Sequence, residues 1–135
     1  MTWIRDLLHP GHGGDLGPQF TRLTSGGELD AVLAAPSVSV LYLHDPFCPI
    51  SAMAHRQMQQ LTEAVAYIDV AADHPLGMEV ERRTGIRHES PQAFVLANGA
   101  VAWSASHRAI TARAVTTAIA AARAASPPAP ETGVS

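Results

Sequence analysis

Short apolar runs alternate with amphipathic stretches through most of the chain, and this order restricts the fold more than any other feature of the sequence. The pattern predicts strands over residues 20–23, 38–43 and 66–70, and helices over residues 25–36, 49–65 and 75–84. The run Val38–Leu43 is almost entirely apolar, which is typical of a central strand covered on both faces. Strands joined by helical crossovers pair in parallel, so this part of the chain predicts a parallel sheet.

The last third of the chain has a different pattern. Two apolar runs, Gln92–Leu96 and Ala100–Ser104, flank Asn98-Gly99, which is the strongest short signal for a β-hairpin. A final helix is predicted over about residues 112–125. A parallel unit followed by a hairpin and a helix predicts an α/β fold of the thioredoxin-like type. Such a fold has a mixed central sheet of about five strands with helices on both faces.

The chain has 135 residues, which fits one domain. Glycine and proline are concentrated near its start, so residues 1–18 are predicted to be irregular. Residues 126–135 form a Pro-rich tail, which is predicted to be mobile. The thioredoxin-like domain is therefore expected over residues 19–125.

Composition excludes several classes of function. A hydrophobic fraction of 47% rules out disorder over the whole chain, and a net charge of −3 gives no electrostatic basis for binding nucleic acid. No apolar run is long enough to span a bilayer and no signal segment opens the chain, so we expect a cytoplasmic protein without membrane association. The single cysteine excludes an internal disulfide, and the histidine spacing is not typical of zinc sites.

Cys48 is predicted to lie where the central strand ends and the second helix begins. The helix dipole and the unpaired N–H groups at that position stabilise a thiolate, and open α/β sheets bind their ligands at the carboxyl ends of central strands. Pro49 suits the first helical turn and fixes the backbone after the thiol. The alternative is a buried, inert cysteine, but this position favours a reactive one.

Ser51 stands three residues after Cys48, where a dithiol redox protein would have its second cysteine. A C-x-x-S arrangement forms only mixed disulfides with another thiol, because it cannot close an internal disulfide. Ser51 is equally explained as a first-turn residue that satisfies a backbone donor. Both interpretations can hold together.

The Ser90-Pro91 bond is predicted to be cis and to form one wall of the thiol site. Pro91 opens the hairpin whose first strand should lie beside the strand that ends near Cys48. A cis bond would direct the Ser90 backbone toward a molecule docked on the thiol. The alternative is a trans proline that merely begins an edge strand.

Three segments, read together, resemble the monothiol bacilliredoxins, which are thioredoxin-fold proteins of bacteria that use bacillithiol as their low-molecular-weight thiol. The segments are FCPISA at residues 47–52, GIRHESPQAF at residues 85–94 and WSASHRAIT at residues 103–111. The resemblance covers about residues 19–123. It implies that Cys48 removes bacillithiol from S-bacillithiolated client proteins, with bacillithiol as co-substrate and no metal or tightly bound cofactor. Phe47 departs from the small hydroxyl residue expected before the cysteine.

The resemblance also implies contacts near the last helix. Ser106 and His107 precede that helix, whose N–H groups suit an anionic group such as the malate of bacillithiol. Arg87 and Arg108 could add carboxylate contacts, and the alternative is a capping loop with solvated arginines. The expected substrate-binding residues are Phe47, Pro49, Ser51, Ser90, Pro91, Ser106 and His107.

Two other functions compete with this hypothesis. One is a non-catalytic thioredoxin-fold module that binds a partner through the same groove, with Cys48 as a redox-sensing or buried thiol. The other is a monothiol glutaredoxin-like protein that uses glutathione or holds an iron–sulfur cluster. The lack of a C-G-F-S string and of a Gly-Gly dipeptide after the hairpin counts against the second. Among the histidines, His44 is the expected neighbour of the thiolate.

Overall fold

The computed structural model describes residues 16–125. The predicted tail at 126–135 and residues 1–15 of the predicted irregular segment lie outside this range. The strands are β1 Phe20–Arg22, β2 Val38–His44, β3 Val65–Asp69, β4 Gln92–Ala97 and β5 Ala100–Ser106. The helices are α1 Gly26–Leu33, α2 Pro49–Met58, α3 His74–Thr84 and α4 Ala112–Ala125, with a 3₁₀ turn at His107–Ala109. Within residues 16–125, none of the helices is both long enough and apolar enough to cross a bilayer.

The five strands form one mixed sheet in the order β1-β3-β2-β4-β5. β1 and β2 both pair with β3 in parallel, whereas β4 runs antiparallel to β2 and to β5. The prediction of a mixed, thioredoxin-like sheet is therefore confirmed. Asn98 and Gly99 have φ angles of 53° and 83°, which is the left-handed conformation that a tight hairpin turn requires.

Helices cover both faces of the sheet, as predicted. Successive residues of β2 point to opposite faces, so Val40 and Tyr42 belong to one core and Leu41 and Leu43 to the other. The first core is closed by α2 and α4 and the second by α1 and α3. Because β2 is buried on both faces, its sequence is a continuous apolar run instead of an alternating one.

The largest difference from the predicted boundaries lies at the end of α2. Val65 was expected to extend the apolar stripe of the second helix, but α2 ends at Met58 and Val65 begins β3. Leu61 and Val65 are buried in the same core as Met58, so their spacing continues the helical pattern after the helix has stopped. Apolar periodicity reports which side chains are buried and does not distinguish a helix from the connection that follows it.

Candidate active site

Cys48 is the N-cap residue of α2, directly before Pro49. Its backbone N–H donates to the Asp45 carbonyl oxygen at 3.1 Å, and its carbonyl oxygen accepts from the N–H of Ala52 at 3.2 Å. The residue is partly exposed, and its side chain makes no capping hydrogen bond. The sulfur therefore lies at the positive end of the helix dipole, in a position that stabilises a thiolate.

Ser51 holds the loop that leads to the thiol. Its hydroxyl oxygen accepts a hydrogen bond from the N–H of Asp45 at 3.3 Å, and its side chain is fully buried. A carboxylate oxygen of Asp45 in turn accepts from the N–H of Phe47 at 2.9 Å. These two bonds fix the turn between β2 and α2, which agrees with the interpretation of Ser51 as a first-turn residue that satisfies a backbone donor.

Exposed apolar side chains surround Cys48 in the sequence. Phe47 has 85% of its surface exposed, and Met53, in the second turn of α2, has 48% exposed. Pro46 and Pro49 are exposed as well. Grouped apolar exposure of this kind is characteristic of surfaces that contact a ligand or partner.

The Ser90–Pro91 peptide bond is cis, as predicted. Gln92, the next residue, pairs with Leu43 in β2 and with Ser106 in β5. The start of β4 therefore lies beside the ends of β2 and β5, at the edge of the sheet where the loop to Cys48 begins. The predicted site residues that belong to the segments meeting at this edge are Phe47, Cys48, Pro49, Ser51, Ser90, Pro91, Ser106 and His107.

His107 connects two of these segments. Its φ angle is 54°, a left-handed conformation that residues other than glycine seldom adopt. Its backbone N–H donates to the Pro91 carbonyl oxygen at 3.0 Å, and its Nδ1 lies 3.3 Å from a carboxylate oxygen of Glu89. Glu89 is a part of this site that was not predicted, because its partner is 18 residues away in the chain.

The N-terminus of α4 differs from the predicted anion site. The Thr111 hydroxyl oxygen accepts from the N–H of Ala114 at 3.0 Å, and the Gln57 side-chain oxygen accepts from the N–H of Ala112 at 2.9 Å. Two of the N–H groups that an anion would use are therefore already bonded within the protein. The sequence analysis did not include the bond to Gln57, because Gln57 belongs to α2 and nothing near α4 in the sequence indicates this partner.

Tyr42 is a further residue that sequence reasoning missed. It is fully buried in β2, and its hydroxyl donates to the Ser51 carbonyl oxygen at 3.2 Å while lying 2.9 Å from Nδ1 of His44. Burial, and to a smaller extent the charge of Cys48, raise the pKa of Tyr42 above its usual value. The phenol therefore stays neutral and anchors the first turn of α2 beneath the thiol.

His44 was expected to be the neighbour of the thiolate, but its contacts lie deeper in the structure. The residue is buried, and its ring centroid is 5.5 Å from those of Tyr42 and His55. Burial and the charge of His55 lower the pKa of His44 to about 4, against the opposing effects of Asp69 and Asp45. His44 is therefore neutral at neutral pH. Across residues 16–125, no three His, Cys, Asp or Glu side chains are arranged to hold a metal ion.

A groove of about 200 Å³ separates α2 from the turn before α4. This surface, termed the α2 groove, begins at Ile50, two residues after Cys48. Arg108 lines it, whereas Arg87, the other arginine considered from the sequence, does not. The complete lining consists of Ile50, Met53, Ala54, Gln57, His107, Arg108, Ile110 and Thr111.

Comparison with known proteins identifies similar sequences and folds. A family model described as "Monothiol bacilliredoxin BrxC" matches residues 21–115, a range that includes Cys48 and Pro91. A solved structure provisionally described as an oxidoreductase with a thioredoxin fold is 27% identical, with a TM-score of 0.70, and the match covers 73% of this chain and 92% of that one. A mutant thioredoxin from Halobacterium salinarum is 21% identical, with a TM-score of 0.63 and coverages of 84% and 100%. Mitochondrial thioredoxin 3 from Saccharomyces cerevisiae is 15% identical, with a TM-score of 0.61 and coverages of 76% and 94%.

Proposed function

The chain belongs to the monothiol bacilliredoxin family and is a thiol–disulfide oxidoreductase, and on that premise we propose that it removes bacillithiol from S-bacillithiolated client proteins through a mixed disulfide on Cys48. Bacillithiol is then the thiol co-substrate, and no metal or tightly bound cofactor takes part. We place the activity in the cytoplasm, where protein thiols are kept reduced.

The reaction consists of two thiol–disulfide exchanges. In the first, the Cys48 thiolate attacks the bacillithiol sulfur of the client mixed disulfide. The client–bacillithiol S–S bond breaks, a Cys48–bacillithiol disulfide forms, and the client thiolate leaves and takes a proton from water. In the second, the thiolate of a free bacillithiol attacks the bacillithiol sulfur on Cys48. Cys48 is released reduced, and the two bacillithiol molecules leave as their oxidised disulfide.

The observation that carries this proposal is the position of Cys48 at the start of α2, partly exposed and without a capping bond. The helix dipole there stabilises both the attacking and the leaving thiolate form of Cys48. Buried Ser51 occupies the place of a second cysteine and cannot form a disulfide. The bound bacillithiol therefore has to be removed by another thiol instead of by the protein itself.

The remaining residues position the substrate in this proposal. The Ser90 backbone, before the cis Pro91, pairs with the amide of the bound thiol. Phe47 and Pro49 provide apolar contact beside the sulfur, where they face the client. Ser106 and His107 approach from the end of β5 and contact the small-molecule part of the mixed disulfide, and Ser51 keeps the loop in place.

Initial rates on three substrates test the proposal. One client protein is converted to its mixed disulfides with bacillithiol, glutathione and coenzyme A, and each is offered to the full chain. We expect the bacillithiol substrate to react about tenfold faster or more than the other two, since binding of the small molecule has to distinguish them. Equal, slow rates on all three would contradict the proposal, and a clear preference for glutathione would favour the glutaredoxin-like alternative.

The same assay addresses the non-catalytic alternative. A binding module with an inert thiol would associate with the client but leave its mixed disulfide intact. The partly exposed position of Cys48 is the observation that disfavours this alternative. Release of client thiol by wild-type protein, and its absence with Cys48→Ser, would exclude a purely binding role.

A further inference from the structure

The α2 groove has two walls of different chemical character. One wall is apolar and belongs to α2, with Ile50 and Met53 on it. The other wall belongs to the turn before α4 and carries the basic side chains of His107 and Arg108. No aspartate or glutamate belongs to the lining. The groove therefore has an apolar wall that faces a basic one.

The two basic side chains differ in their partners. His107 Nδ1 is 3.3 Å from Glu89, so that imidazole already faces a carboxylate outside the groove. Arg108 is exposed, and no ion pair of Arg108 occurs among the residues that the structure describes. A guanidinium group offers planar, paired donors that match a carboxylate. Arg108 is therefore the cation that remains available to a ligand in the groove.

Size and position restrict the occupant. The groove volume of about 200 Å³ is smaller than the pockets that hold whole drug-sized ligands, so it suits one portion of a small molecule. The groove starts at Ile50, in the first turn of the helix that begins after Cys48, and its His107 wall is bonded to Pro91. A molecule joined to Cys48 through sulfur is therefore attached two residues before the first residue of this groove.

We propose that the α2 groove binds the carboxylate-bearing portion of the small-molecule thiol that is transferred to Cys48, and that Arg108 selects for its negative charge. The inference rests on the proposed function for the source of that thiol, and it assigns Arg108 as the residue that distinguishes an acidic thiol from an uncharged one. It also moves the anion contact from the N-terminus of α4, where Gln57 and Thr111 already accept N–H bonds, to the guanidinium group.

A single-turnover experiment with matched probes tests the selection. One cysteine-containing peptide is joined by a disulfide to mercaptosuccinate or to its uncharged diamide, and peptide release by excess full-length protein is followed. Each rate is divided by the rate of the same disulfide with a free small thiol, which removes differences in intrinsic reactivity. We expect the acidic probe to be preferred by about fivefold or more, and Arg108→Gln to reduce this preference to about one.

Arg87→Gln is the matched control, because it removes the same charge from the loop before β4 without touching the groove. It should keep the wild-type preference if the selection is local. A wild-type preference of one would overturn the inference, as would a preference that survives in Arg108→Gln. A preference lost equally in both variants would show that general electrostatic attraction, and not the groove, is responsible.

A binding measurement separates this inference from the proposed function. Cys48→Ser protein is titrated with S-methyl mercaptosuccinate, which cannot react, and chemical shifts of Ile50, Met53 and Thr111 are followed by NMR. We expect saturable changes in these signals and binding weakened about fivefold or more by Arg108→Gln. If the peptides are released but these signals do not change, the inference fails and the function stands. If no peptide is released but the signals change, the function fails and the groove retains its assigned ligand class.

Discussion

The N-termini of α2 and α4 lie at the same edge of the sheet, but they are completed in different ways. β2 and β5 both run antiparallel to β4, so the helices that follow them begin on the same side. At α4, the N–H groups of Ala112 and Ala114 are bonded to Gln57 and Thr111. At α2, the N-cap residue is Cys48, whose side chain makes no capping bond.

The start of α4 is stabilised by side-chain hydrogen bonds, whereas the start of α2 has a thiol in place of a capping side chain. Side chains of Ser25, Asp73 and Thr111 cap α1, α3 and α4, so among the four α-helices within residues 16–125 only α2 starts without a side-chain cap. Such a cap typically contributes about 1 kcal/mol. The chain forgoes that stabilisation at the position of its only cysteine, where N–H groups and the helix dipole can act on a thiolate instead.

The largest expected effect comes from Cys48→Ser. Removal of the nucleophile should lower the rate of client reduction by about a thousandfold or more. The serine hydroxyl can also cap α2, so the free energy of unfolding should rise by about 0.5–1 kcal/mol. Client-release kinetics and urea denaturation measure the two effects. Retained activity would contradict the mechanism, and a large loss of stability would contradict the description of α2 as uncapped.

Acid should weaken the structure beneath the start of α2. The pKa of His44 is about 4 in the folded protein, below its usual value of 6.5, so the unfolded chain binds more protons between those values. The contribution of His44 to stability is therefore complete above about pH 6.5 and decreases as the pH falls toward 4. We expect a decrease on the order of 2–3 kcal/mol.

Urea denaturation at neutral pH and at about pH 4.5 measures this dependence. The comparison is with His44→Asn, which lacks the titrating group but keeps a side chain that forms hydrogen bonds. The variant should lose less stability than the wild type between the two conditions. An identical loss in both proteins would show that other groups account for the acid sensitivity.

Alanine substitutions at the two helix starts test the comparison directly. Thr111→Ala removes the bond to the N–H of Ala114 and should lower the free energy of unfolding by about 1 kcal/mol. Cys48→Ala removes no capping bond and should change it by less than about 0.5 kcal/mol. Both values come from urea denaturation under one set of conditions. Equal losses in the two variants would mean that the starts of α2 and α4 are not energetically different.

The smallest effect on activity is expected for Ser51→Ala. The Asp45 N–H loses its acceptor, which loosens the loop before Cys48, but the nucleophile and the start of α2 remain. We expect the rate of client reduction to fall by no more than about threefold, with a loss of stability of about 1 kcal/mol. Complete inactivity in a folded Ser51→Ala protein would assign Ser51 a direct chemical role.

Local signals explain why much of the fold could be predicted. The hydroxyl groups of Ser25 and Thr111 cap α1 and α4, at the starts of two of the helices predicted from the sequence. Gly85 follows the predicted end of the third helix at residue 84 and has a φ angle of 74° as its C-cap. Each of these features depends on neighbours within a few residues, so the sequence pattern contains the necessary information.

Part of the candidate site could also be predicted from the sequence. The expected order of strands predicts that Cys48 and Pro91 are neighbours, and Leu43, near the end of β2, pairs with Gln92, the residue after Pro91. Tyr42 and Glu89 were missed because their significance depends on partners that other segments supply. A buried tyrosine in an apolar strand gives no sequence signal that distinguishes it from an ordinary core residue.

The sequence by itself determined the alternation of strands and helices, the helix caps, and the placement of one cysteine at the end of the central strand. These follow from side-chain periodicity and from hydrogen bonds that a residue makes within its own turn. Only the tertiary structure decided that Gln57 of α2 bonds to the start of α4, that His44 faces His55, and that Arg108 lines the α2 groove. These contacts join segments that are distant in the chain, and packing of α2 and α4 on one face of the sheet brings them together.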